Sequence, residues 1–196
     1  MIQVLPIYIA GSVDYFQTLI RSQNPIIDLG EHFIKQTYRN RYEIAGPNGI
    51  ERLIIPLEKG KNQKMAMHEV KISYAENWVN QHKKAIQTAY GNTPYYEYYG
   101  PELNSILEKR PEYLVDLSLE LLNWSLEELG FREKAKEISK TYIEKGEDVE
   151  DFRMSIPSYE KIKFTHIHAQ RYELERDLSI LDILFHEGRA ARLRFL

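Results

Sequence analysis

Two arginines flank an asparagine in Lys35-Gln-Thr-Tyr-Arg-Asn-Arg-Tyr-Glu-Ile44, a stretch that alternates like a half-buried strand. Strand side chains alternate sides. Tyr38, Asn40, Tyr42 and Ile44 are therefore expected on one face, and Thr37, Arg39, Arg41 and Glu43 on the other. Arg39 and Arg41 would then project side by side, roughly 7 Å apart. Two such guanidinium groups can fork onto a carboxylate or a phosphate. A solvated face of mixed charge is the alternative, because Glu43 shares that face and Glu51 and Arg52 come close across the hairpin expected next. A regular strand cannot aim Arg39, Asn40 and Arg41 at one ligand unless a bulge breaks the alternation.

The second residue with chemistry is His82. It lies between Trp78 and Ile86 on the apolar stripe of an expected helix. There it is either a general base or ligand hydrogen-bonder at a pocket floor, or a core histidine bonded to a backbone group. His166-Ile-His168 has the spacing of a metal pair on a strand, but no HExxH and no clear third ligand accompany it, so no metal is expected. His32, His68 and His186 are scattered. No P-loop, no GxGxxG after a strand and no GxSxG elbow is present. Gly11-Ser12 after the first strand is a weak suggestion of an anion-binding turn.

These residues need elements to hold them. Residues 3–10 read as a buried strand, with Ser12 capping a helix to about Ser22. Val13, Phe16, Leu19 and Ile20 share one face of that helix. Residues 26–29 form a second short strand after the Asn24-Pro25 turn. Residues 38–45 and 50–57 flank Gly46-Pro-Asn-Gly49 as a hairpin. Residues 59–65 read as a polar loop and 67–74 as a last strand. Beyond Asn77 the period becomes helical, with Trp78, His82, Ile86 and Tyr90 on one stripe and Gly91 as the stop. A short helix is expected after Pro101. Pro111 opens the most apolar helix, with Leu114, Leu117, Leu121 and Trp124 as its stripe and Gly130 as its end. Residues 145–151 look like an acidic surface excursion. Leu178, Leu181, Ile183, Leu184 and Phe185 make a terminal helix stopped by Gly188. The fold class is thus α/β or α+β: a small N-terminal sheet with a hairpin over residues 1–75, then a mainly helical part over 76–196, in one domain.

The bulk composition narrows the function classes. Net charge is −3, so no basic bias favours nucleic acid. No apolar run reaches the roughly 18 residues of a membrane helix, and no signal peptide is visible. Cysteine is absent, which excludes disulfides, thiolate nucleophiles and cysteine-based zinc sites, and fits a cytoplasmic protein. Tyrosine is abundant, at 14 residues, with a cluster at Tyr90, Tyr95, Tyr96, Tyr98 and Tyr99 that suits packing, a pocket or an interface.

The chain resembles the WbqC-like family, in the form carried by Bacteroidetes-type bacteria. The resemblance rests on Asp14-Tyr-Phe16, on Lys35-Gln-Thr-Tyr-Arg-Asn-Arg41, and on the Asn48-Gly49 hairpin leading to Leu53 and Pro56. It continues through Val70-Lys-Ile-Ser-Tyr74, Trp78-x3-His82-x3-Ile86-Gln-Thr-Ala-Tyr90 and Pro94-Tyr-Tyr-Glu-Tyr-Tyr99. Leu178-Ser-Ile-Leu-Asp-Ile-Leu-Phe185 matches more weakly. Two places depart from the family pattern, Tyr8-Ile-Ala-Gly-Ser12 and Leu174-Glu-Arg-Asp177. The resemblance implies a link to surface polysaccharide biosynthesis of the O-antigen type, a transferase activity, a cytoplasmic location and no obligatory cofactor.

The expected enzyme is a transferase acting on an anionic small molecule such as an activated sugar, or on an acyl donor. Arg39 and Arg41 would clamp a phosphate or carboxylate, and Asn40 and Gln36 would contact the substrate. His82 would be the base, and Trp78, Tyr90 and Tyr95 the apolar walls. The alternative is a non-catalytic binding or assembly protein, a homodimer through the tyrosine corner and the helix of residues 111–129.

Overall fold

A computed structural model describes residues 1–58, 64–135, 137–169 and 177–196. Most of the polar loop expected at 59–65, and all but Asp177 of the departure at 174–177, lie outside the described residues.

Four parallel strands form the sheet, in the order β5-β2-β1-β6. They are β1 (Ile2–Leu5), β2 (Pro25–Asp28), β5 (Glu137–Ser139) and β6 (Val149–Asp151). Helix α1 (Val13–Arg21) connects β1 to β2, since a parallel pair needs a crossover. Ser12 caps α1 through a bond from the Tyr15 N–H at 3.3 Å, as its position at the turn predicts. Strand β1 is shorter than expected. Pro6 has no N–H to give the ladder, and Ala10 takes a positive φ of 44°.

Residues 145–151 are not a free excursion. Val149–Asp151 pairs in parallel with β1, Ile2 opposite Val149 and Gln3 opposite Glu150. Residues 137–139 close the other edge, with Ile27 opposite Ile138. Three-residue strands carry too little pattern to be read locally, so the free edges of β1 and β2 define them. The sheet therefore draws strands from both parts of the chain.

The hairpin is β3 (Arg41–Gly46) and β4 (Gly49–Ile54). Gly46 pairs with Gly49, so the connection is the two residues Pro47 and Asn48, and Gly49 takes a φ of 123° that suits glycine. Tyr42 and Ile44 are buried on its inner face, as the alternation predicts. Residues 67–74 do not form a strand. They make a 3-10 turn at Met67–Glu69 and isolated bridges, Leu57 to Ile72 and Lys71 to Tyr113.

Helices α2 (Trp78–Tyr90), α3 (Tyr96–Glu108), α4 (Leu114–Glu128) and α5 (Ile180–Glu187) complete the fold. The α2 stripe of Trp78, His82, Ile86 and Tyr90 is buried throughout. Helix α3 begins at Tyr96 rather than after Pro101, so the proline lies inside it. Helix α4 buries Leu114, Leu117, Leu121, Leu122 and Leu126 in the core, which leaves those leucines no part in an interface, while Trp124 of the expected stripe is half-buried. Gly130 and Gly188 end α4 and α5 with φ of 73° and 56°.

Candidate functional site

The arginine pair does not project as a pair. Residues 37–40 are turns, and β3 starts only at Arg41. Arg39 turns inward and is 1% exposed. Its Nε donates to Glu31 Oε1 at 3.0 Å and its NH2 to Glu31 Oε2 at 2.5 Å. The same NH2 donates to the Arg153 carbonyl at 2.9 Å. Arg153 in turn forks onto Asp151, with 2.9 Å bonds to both carboxylate oxygens, and reaches Asp28 Oδ2 at 2.5 Å. Asp28 and Asp151 are the last residues of β2 and β6. The carboxyl ends of parallel strands are where open α/β sheets commonly bind ligands. Here the protein's own ionic network lies beside those ends. Burial pushes the Glu31 carboxyl up to about 7, against the pull of Arg39.

His82 is 3% exposed, with both ring nitrogens engaged. Nε2 lies 3.1 Å from the Ile54 carbonyl, and Nδ1 lies 3.1 Å from the Tyr42 hydroxyl. A carbonyl only accepts, so Nε2 carries the proton and Nδ1 accepts from Tyr42. Burial lowers the His82 pKa to about 4. In this geometry the ring has no spare lone pair for a substrate proton and ties α2 to the hairpin. Trp78 is also inside, its indole N–H bonded to the Ser73 carbonyl at 3.0 Å. Tyr90 is buried, stacked on Phe185 at 4.6 Å, with its hydroxyl toward Asp182. Arg39, His82, Trp78 and Tyr90 are thus placed in packing and ionic contacts.

The remaining residues of the motif do line a cleft. Lys35, Gln36, Asn40 and Arg41 face Ile54, Pro56 and Leu57 around a volume of about 320 Å³. Gln36 takes a positive φ of 62°, a strained conformation for a residue with a Cβ. Asn40 is anchored, its amide donating to the Ile55 carbonyl at 3.1 Å. Arg41 makes no ion pair among the described residues, whereas Arg39, Arg52, Arg153, Arg189 and Arg194 all do. Tyr95 stands apart, beside Tyr98, Tyr99, Glu102, Glu128 and Arg189. Tyr98 there is 70% exposed.

A further cleft, of about 410 Å³, opens between α1, α5 and residues 158–166. It brings together Asp14 and Gln17 of α1, Asp177, and Asp182 of α5. Burial raises the Asp177 carboxyl to about 6, although the N–H groups opening α1 pull it down. Behind this wall, Asp182 Oδ1 meets His166 Nε2 at 2.9 Å, and His186 Nδ1 donates to the Asp182 carbonyl at 2.6 Å. Ligand-type atoms of His166, Asp182 and His186 lie within 4.8 Å of one another. His168, the neighbour suggested by sequence spacing, points elsewhere, toward the Ala89 carbonyl at 3.2 Å. His166 Nδ1 accepts the His168 N–H at 3.0 Å, which keeps the ring proton on Nε2, toward Asp182. A metal-bound histidine needs the opposite arrangement, with its second nitrogen donating, so the trio reads as a hydrogen-bonded latch.

The sequence did carry a signal for this cleft. Gln17 falls on the apolar stripe of α1, four residues after Val13. Asp182 interrupts the apolar run of α5. Both are polar residues in apolar stripes, as His82 is.

No helix among the described residues is long and apolar enough to cross a membrane. No curated protein and no solved structure matches the chain. A model of the WbqC-like protein family matches residues 8–156. That span includes the Lys35–Arg41 motif, the hairpin and helices α2 to α4, and it stops before α5. The chain therefore belongs to the WbqC-like protein family.

Proposed function

We propose that this WbqC-like protein is a transferase of surface polysaccharide biosynthesis that grips an activated sugar by its phosphate. The grip is the cleft of Lys35, Gln36, Asn40 and Arg41. One observation carries the reading: Arg41 holds a guanidinium at this cleft without an ion pair among the described residues. A guanidinium matches phosphate oxygens through two parallel N–H bonds, and Lys35 adds a second positive charge. Charge-assisted bonds of this kind contribute about 1.5–3 kcal/mol each.

Calorimetry with UDP- and dTDP-sugars is expected to show binding that Arg41→Ala weakens at least tenfold. Absence of binding by every nucleotide-sugar, or equal binding by the variant, would sink the reading.

The second reading is a homodimeric assembly protein, favoured by the exposure of Tyr98 beside Tyr95 and Tyr99. Light scattering should then give a dimer that Tyr98→Glu converts to a monomer. A monomeric wild type removes this alternative.

A further inference from the structure

Gln17 is 2% exposed, and its amide Nε2 is buried without a hydrogen-bond partner. A buried amide in that state is costly, and buried polar groups are nearly always paired. Gln17 is also a wall residue of the α1–α5 cleft, so the side chain that carries this unpaired amide borders a partly open space. The space is about 410 Å³, many times the roughly 15 Å³ that one water requires.

The remaining walls define what would fit. Asp14, Asp177 and Asp182 supply carboxylates, and the exposed Lys161 and Lys163 supply two ammonium groups. Val13, Ile162, Phe164 and Leu178 supply apolar surface. Asp14 and Asp177 are held in place from within. Asp177 Oδ1 accepts the Asp14 N–H at 3.1 Å, and Asp14 Oδ1 accepts the Tyr159 N–H at 3.3 Å. Asp182 is oriented by His166.

A ligand here must accept from the Gln17 amide and donate to carboxylates. An ammonium group donates but cannot accept. A phosphate accepts but meets three acidic side chains, which the two exposed ammonium groups of Lys161 and Lys163 do not outnumber. A hydroxyl does both, and completes the amide whichever way it is turned. Several hydroxyls on a compact ring, with C–H faces toward Phe164 and Leu178, describe a sugar.

We propose that the α1–α5 cleft is a binding site for an uncharged sugar ring, with the Gln17 amide as its buried hydrogen-bonding anchor. The cleft shares no residue with the Arg41 cleft. It extends the transferase reading by seating an uncharged sugar, but it stands on its own geometry. Uncharged probes test it, so its failure and the failure of the phosphate grip are distinguishable.

Saturation-transfer NMR and calorimetry would use methyl glycosides of glucose, galactose, mannose and N-acetylglucosamine. At least one is expected to bind the wild type, and Gln17→Leu is expected to weaken it at least tenfold. Without sugar, the melting temperature of Gln17→Leu should equal or exceed that of the wild type, because the variant removes an unpaired buried amide. A melting temperature well below wild type would assign Gln17 a structural role and overturn the proposal. So would binding of no glycoside, binding unaffected by Gln17→Leu, or binding of spermidine in place of the glycosides. Asp14→Asn, on the cleft rim, provides a second variant and is expected to weaken the same glycoside several-fold.

Discussion

Arg39→Ala is expected to destabilise the protein by about 3–5 kcal/mol, the range for removing one partner of a buried ion pair. The guanidinium is 1% exposed and bonds Glu31 through two nitrogens, so its loss leaves a sealed carboxylate with only the nearby Arg153 guanidinium as counter-charge. It also frees the Arg153 carbonyl, which links Arg39 to Asp28 and Asp151. The penalty depends on pH. Glu31 already titrates near 7 because burial outweighs the arginine. Without Arg39 it must take up a proton to stay buried, so the loss should be smaller at pH 5 than at pH 8. Urea unfolding at the two values measures both effects. A loss under about 1 kcal/mol at both would mean that the network does not hold these strand ends together.

The second large effect concerns His82. Its folded pKa is lowered from 6.5 to about 4, so the unfolded chain binds the proton more readily. The stabilisation is fully present above pH 6.5 and is lost as pH falls toward 4, by about 3 kcal/mol. His186, lowered to about 4 by burial, acts in the same direction. Glu31 and Asp177, raised to about 7 and about 6, act in the opposite direction. The His82 contribution is therefore isolated as a difference. Wild type should lose about 3 kcal/mol more than His82→Gln between pH 7 and pH 4, since glutamine can bond Ile54 and Tyr42 without titrating. Parallel stability–pH curves for the two proteins would contradict the buried, neutral imidazole.

Several elements were legible because their signals are local. The Trp78 to Tyr90 stripe, the apolar α4, the Ser12 cap and the Gly188 stop each arise within one or two turns of chain. The hairpin was legible from Gly46-Pro-Asn-Gly49 between alternating runs. Strands β5 and β6 were not, because three residues define no period and their order comes from edges more than a hundred positions away.

The candidate site residues divide along the same line. The resemblance of motifs in order along the chain was enough to name the family, and local pattern was enough to mark Lys35, Gln36, Arg39, Asn40 and Arg41 as one unusual polar block and to make His82 conspicuous in its stripe. Which of these face a cleft depended on contacts no local pattern holds. Arg39 is committed to Glu31 and, across 114 positions, to the Arg153 carbonyl. His82 is committed to Tyr42 and Ile54 across 40 and 28 positions. The cleft around Gln17 joins α1 to α5 and to residues 158–166 from the far end of the chain. A side chain's identity states which bonds it can make. Only the packed structure decides which of them are already made, because burial forces each polar group to a partner, and those partners are chosen by chain topology rather than by neighbours in sequence.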